Sequence, residues 1–139
     1  VYGPGQRDER KLVPYTIRSA IAGRAPALSS GDRPVDWIYV EDVADAFLAL
    51  GAIDDIEPDP VDVGSGEVHT VGEVAERLCR LVDPALIPQR GALPDRPHEQ
   101  VRVADLDSTA RRLGWSPRTG LDEGLRRTVA WCRDHPPTS

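Results

Sequence analysis

The run Asp36-Trp37-Ile38-Tyr39-Val40-Glu41-Asp42-Val43-Ala44-Asp45-Ala46 decides the fold class, because its apolar period changes within one short stretch. Trp37 to Val40 are aromatic and β-branched residues that predict a buried strand. Val43, Ala44, Phe47, Leu48 and Leu50 then recur at helical spacing, which predicts a helix ending at Gly51. The switch falls at Glu41-Asp42, where acidic side chains suit the positive end of a helix.

The same succession returns downstream. Val61-Asp62-Val63 predicts a short strand, Gly64-Ser65-Gly66 a tight turn, and Thr70-Val71-Gly72-Glu73 a capping box that opens a helix through Val82. Strand, turn and helix written twice predict an α/β fold. Upstream, Lys11 to Ala22 predicts a helix with Leu12, Ile17, Ala20 and Ile21 as its apolar positions and Gly23 as its stop. Pro14 is compatible with it because it falls in the first turn. Ala27-Leu28 forms a short extended piece and Ser29 to Asp32 a turn. Asp54 to Pro60 is a surface loop.

Pro84, Pro88, Pro94 and Pro97 make residues 83–97 loop-like, with one short strand around Leu86-Ile87. Val101 to Val103 is extended, and a helix from about Asp107 to Leu113 is stopped by Gly114. A last helix starts near Leu121, behind a second capping box at Thr119 to Asp122, with Leu125, Val129 and Cys132 on one face and a frayed tail from His135.

At 139 residues the chain is one domain's worth of sequence. It starts at Val1, contains no methionine, and opens with Val1-Tyr2-Gly3-Pro4-Gly5, a strand end running into a turn, so it is expected to be a piece of a longer protein. A formal net charge of −6 argues against a nucleic-acid or membrane-surface partner, since both require a basic footprint. All the basic residues except Lys11 are arginine, a bias that base composition explains and that recognition of an anion such as a diphosphate also explains. Cys79 and Cys132 fall on apolar helix faces outside any CxxC pair, as reduced core thiols of a cytoplasmic protein do. There is no apolar stretch of membrane-spanning length and no signal peptide, so a soluble, cytoplasmic location is expected.

Candidate chemistry is sparse. Gly64-Ser65-Gly66 lies where a phosphate-cradling loop would lie, but the third glycine of such a fingerprint is replaced by His69, and a plain turn is the simpler reading. His69, His98 and His135 lack metal-ligand spacing, and no serine sits in a G-x-S-x-G elbow. Asp36, Glu41, Asp42 and Asp45 are explained by capping and a solvated helix face. The residues taken alone lead to a soluble α/β chain and no further.

Together, however, the segments resemble the C-terminal part of the extended short-chain dehydrogenase/reductases, the NAD(P)-dependent sugar-nucleotide epimerases and dehydratases. The segments are Tyr2-Gly3-Pro4-Gly5-Gln6, Lys11-Leu12-Val13-Pro14, Gly31-Asp32 through Asp36 to Val43, Asp62-Val63-Gly64-Ser65-Gly66, Asp95-Arg96-Pro97, and Leu113-Gly114-Trp115-Ser116-Pro117 followed by Glu123-Gly124-Leu125 and Trp131. The pattern is most similar to the dTDP-glucose 4,6-dehydratase-like subgroup. The resemblance implies the substrate-binding part of an extended Rossmann-type fold, with the dinucleotide-binding half and its Tyr-x-x-x-Lys pair upstream of Val1. It implies a nucleotide-diphosphate sugar as ligand, NAD or NADP as cofactor of the intact parent rather than of this chain, and a homodimeric parent. The family chemistry starts with oxidation at the sugar C4, so this chain alone is expected to be inactive.

Carried over by position, Lys11 and Leu12 would line the nucleotide side, Arg96 would meet the diphosphate or ribose with His98 and Glu99 close by, and Asp62 stands where the family has an asparagine near the substrate. Where many relatives read R-D-W this chain has Val35-Asp36-Trp37, and Arg33, two residues earlier, would be the substitute for the absent arginine. His98 directly follows Arg96-Pro97, where relatives often have an intervening glycine. A non-catalytic sugar-nucleotide binding or interaction module is the alternative reading.

Overall fold

The computed structural model describes residues 1–54, 59–95 and 101–136. Helices α1 (Leu12–Ile21), α3 (Val71–Val82) and α5 (Leu121–Asp134) pack against one another, and α2 (Val40–Gly51) lies with α4 (Leu106–Leu113). Strands β1 (Pro34–Asp36) and β2 (Val68–Thr70) form an antiparallel pair with Pro34 opposite Thr70 and Asp36 opposite Val68.

Most helices follow their local signals. Pro14 sits buried in the first turn of α1, and the chain leaves that helix at Gly23 in a left-handed conformation (φ 68°). The capping box of α3 is complete: the Thr70 hydroxyl accepts from the Glu73 amide at 3.1 Å, and the Glu73 carboxylate accepts from the Thr70 amide at 2.8 Å. Helix α4 is capped by Asp105 and ends at Gly114 (φ 61°). Leu125, Val129 and Cys132 of α5 join Val13 and Ile17 of α1, Val74 and Leu78 of α3, and the Tyr2 and Tyr39 rings in the main core. Both cysteines are free and buried.

Several expectations need correction. Trp37 to Val40 is not a strand: only Tyr39 forms a bridge, parallel to Tyr2, and Val40 already opens α2. Ile38 and Tyr39 are buried and Trp37 and Val40 half-buried, but a single partner residue cannot extend a ladder. The strand lies just upstream, in Pro34 to Asp36, because Val68 to Thr70 is available to pair with it. For the same reason neither Val61–Val63 nor Leu86-Ile87 forms a strand. Helix α2 buries Asp42 and Ala46, whereas Phe47 and Leu48 are 66% and 72% exposed. The second core cluster is accordingly small: Ile38, Ala46 and Trp115, with Val43, Ala49 and Leu113 against it. Finally, Thr119 does not cap α5, whose N-cap is Gly120. The Thr119 amide and hydroxyl instead donate to the buried Asp42 carboxylate, at 2.9 and 3.2 Å. His135, expected in the frayed tail, stacks on Trp131 with ring centroids 4.6 Å apart.

Asp36 is the junction of this arrangement. Its carboxylate accepts from the Ser65 amide and hydroxyl, both at 2.7 Å, from the Gly66 amide at 3.1 Å and from the Ala104 amide at 3.0 Å. One side chain at the end of β1 thereby fastens the 64–66 turn and the segment that leads into α4. Partial burial pushes the Asp36 carboxyl up, and the hydrogen bonds from Ala104, Ser65 and Gly66 outweigh it, so the group sits below its ordinary value.

Asp36→Ala should destabilise the protein by about 3 kcal/mol in chemical denaturation, since it strands several half-buried donors, whereas Asp45→Ala on the exposed face should change it by less than about 0.5 kcal/mol. The folded state selects ionised Asp36, so its contribution should be complete above the ordinary carboxylate range and lost as pH falls below about 4, a loss absent from the Asp36→Ala profile. A Cβ at Gly64 would lie 2.5 Å from Asp36 Oδ2 and 2.6 Å from the Ala104 Cβ. Gly64→Ala should therefore cost about 2 kcal/mol or more, while Gly51→Ala, with open space around it, should be neutral or slightly stabilising.

Candidate functional site

A groove of about 890 Å³ opens at the N-terminal end of α1. One side is α1 itself, through Lys11, Leu12 and Tyr15; the other is built by Ala27 to Ser30, Arg33 and the stretch Leu93 to Asp95. These pieces are far apart in sequence and are joined mainly by backbone. The Gln89 amide donates to Pro26 at 2.8 Å and the Leu28 amide to Gln89 at 2.9 Å. Gly91 donates to Ser29 at 2.7 Å, and Leu93 to Leu28 at 3.0 Å. Tyr15 ties this seam to the helix: its hydroxyl accepts from the Ala27 amide at 3.0 Å.

The electrostatics favour an anion. The N-terminus of α1 has neither a side-chain cap nor an acidic residue in its first turn, in contrast to α3 and α4. Its N-cap, Lys11, is exposed at the groove. An uncapped helix start beside cationic side chains is a field that attracts negative charge. Of the acids that line or flank the groove, Glu9 pairs with Arg18 at 2.9 Å and Asp8 with Arg10 at 2.9 Å, while Asp95 accepts from Ser30. The Arg10 guanidinium and amide hold the Asp8 carboxyl down at about 2.

The sequence-derived candidates divide into three groups. Lys11, Leu12 and Arg33 meet along this one groove. Arg33 precedes β1, and its carbonyl accepts from the Val71 amide at 3.0 Å. Asp62 does not line the groove: it is exposed, and its carbonyl accepts from the Thr109 hydroxyl at 2.6 Å. Arg96, His98 and Glu99 lie outside the described residues. Tyr15 was not singled out by sequence, although its spacing from Lys11 and Leu12 places all three on one helix face.

The Gly64-Ser65-Gly66 turn is closed to a dinucleotide. The Ser65 and Gly66 amides that would cradle a phosphate already donate to Asp36, and the space over Gly64 is filled by Asp36 and Ala104. NAD therefore does not fit this turn, and a plain turn is what the structure contains. A smaller cleft of about 140 Å³ borders Trp37, His69 and Arg118, with the Trp37 indole donating to the His69 carbonyl at 2.9 Å. No helix among the described residues is long and apolar enough to cross a membrane.

Residues 1–64 match the NAD dependent epimerase/dehydratase family. Over 147 aligned residues the chain is 31% identical to the dTDP-glucose 4,6-dehydratase of Shigella flexneri, an alignment covering 94% of this chain and 38% of that protein. The UDP-glucose 4-epimerase of Thermotoga maritima, solved with UDP-glucose, has a TM-score of 0.84 at 26% identity and covers 96% of this chain and 43% of its own. MoeE5, solved with UDP-glucuronic acid and NAD, has a TM-score of 0.84 at 28% identity over 96% and 44%. The chain thus spans about two fifths of the length of these three relatives.

Tyr15→Phe removes the acceptor of the Ala27 amide and should cost about 1 kcal/mol in urea denaturation. A loss no greater than that of Tyr→Phe at an unbonded hydroxyl would mean that this bond does not hold the seam.

Proposed function

We propose that this chain, which belongs to the NAD-dependent epimerase/dehydratase family, provides the part of the protein that binds a nucleotide-diphosphate sugar, in the groove at the start of α1. The observation that carries this reading is the convergence of Lys11, Leu12 and Arg33 at an uncapped helix N-terminus. A diphosphate requires donors and positive charge that face it together. Lys11 supplies a point charge, Arg33 a planar fork two residues before the absent family arginine at Val35, and the helix end a partial positive charge. Leu12 and Tyr15 offer an apolar and aromatic side to the nucleoside. Arg96, His98 and Glu99, which follow Asp95 in sequence, complete the proposed contact set.

The role of these residues is to bind and orient. The parent protein is proposed to be an NAD-dependent epimerase or dehydratase of sugar nucleotides, a reading supported by relatives whose structures hold UDP-glucose, or UDP-glucuronic acid with NAD. The closed 64–66 turn offers NAD no cradle, so we assign the cofactor to a part of the parent outside this chain, and we propose a homodimeric parent on the family resemblance.

Calorimetric titration of the full-length protein with UDP-glucose and dTDP-glucose tests the assignment. Lys11→Ala and Arg33→Ala should each weaken binding about tenfold, while Arg118→Ala, which borders the smaller cleft, should leave it within about twofold. Equal losses at all three positions would refute the placement. Binding without turnover in the presence of NAD would favour the non-catalytic module.

A further inference from the structure

The backbone seam that builds the far side of the groove ends at Leu93, whose amide donates to Leu28. Beyond it one side chain continues the connection: Asp95 Oδ1 accepts from the Ser30 amide at 3.0 Å and from the Ser30 hydroxyl at 2.9 Å. The Ser30 hydroxyl oxygen also accepts from the Asp32 amide at 3.3 Å, and Asp32 faces Arg90 at 3.4 Å. Ser30 is thus fixed from both sides.

We propose that Asp95 is a positioning residue for the nucleotide-sugar groove: by clasping Ser30 it holds the Leu93–Asp95 wall at the width in which Lys11, Leu12 and Arg33 meet a single ligand. The proposal rests on the reading of the groove given above. An acid at the edge of an anion site is otherwise unfavourable, since its charge opposes that of the ligand. Its placement makes sense when its lone pairs are spent on Ser30. The Ser30 amide and hydroxyl and the Ser29 hydroxyl hold the Asp95 carboxyl below its ordinary value, so the clasp is ionised and closed at neutral pH. Because Asp95 is exposed, the clasp adds little to global stability, and its effect is expressed in binding.

Charge and position give opposite signs, which makes the role testable in the full-length protein with UDP-glucose as the probe. Asp95→Ala removes both the repulsion and the clasp and should weaken binding about fivefold; Asp95→Asn keeps an acceptor for Ser30 and should bind as the wild type does or more tightly. Ser30→Ala, which leaves the charge in place, should also weaken binding, and Ser30→Ala with Asp95→Ala should be no worse than Asp95→Ala alone. Amide exchange at Ser30 should quicken in Asp95→Ala without ligand and stay slow in Asp95→Asn. Tighter binding by Asp95→Ala, equal behaviour of the Ala and Asn variants, or additive losses in the double variant would overturn the positioning role. Wild-type protein that fails to bind UDP-glucose would instead overturn the reading of the groove, and the positioning role with it.

Discussion

A carboxylate withdrawn from water has to be met by donors, and Asp36 is met by four. It stands at the end of a three-residue strand that alone would be too short to organise anything. Through it, a strand, a glycine turn and the approach to α4 become one object. The geometry also dictates composition: Gly64 must lack a side chain because Asp36 and Ala104 occupy its place. Asp42 repeats the device on the next element, where a buried carboxylate in α2 takes the amides of Arg118 and Thr119. Two acids in one short run thus act as internal fasteners.

The parts of this fold legible in sequence are those whose partners are close along the chain. The Thr70–Glu73 box, the stops at Gly23 and Gly114 and the face of α5 depend on contacts within a turn or two, and each appears as written. Strand positions were displaced because a strand exists only where a partner does. Trp37 to Val40 has the composition of a strand but only Tyr2 to bridge, while Pro34 to Asp36 has Val68 to Thr70. The failed cap at Thr119 has the same origin: the residue was claimed by Asp42, 77 positions away, and no local rule detects such a competitor. Phe47 and Leu48 have helical spacing yet remain exposed, because periodicity reports which residues share a face and not whether that face is covered.

The candidate site was legible in a different way. Lys11, Leu12 and Arg33 came from resemblance, and their meeting in one groove is a fact of tertiary structure. Asp95 and Tyr15 went unweighed, the first hidden beside an arginine with a more obvious use and the second in mid-helix. Their importance lies in hydrogen bonds to Ser30 and Ala27, segments that no periodicity links to them.

The groove's long seam, from Pro26 to Ser29 against Gln89 to Leu93, is made of main-chain groups. Main-chain hydrogen bonds are indifferent to residue identity, proline aside. Side chains that point from such a seam can be exchanged during evolution without dismantling the wall that bears them. The architecture therefore separates the durability of the cleft from the chemistry of its lining, and lining residues can be replaced one at a time while the wall that bears them stays in place.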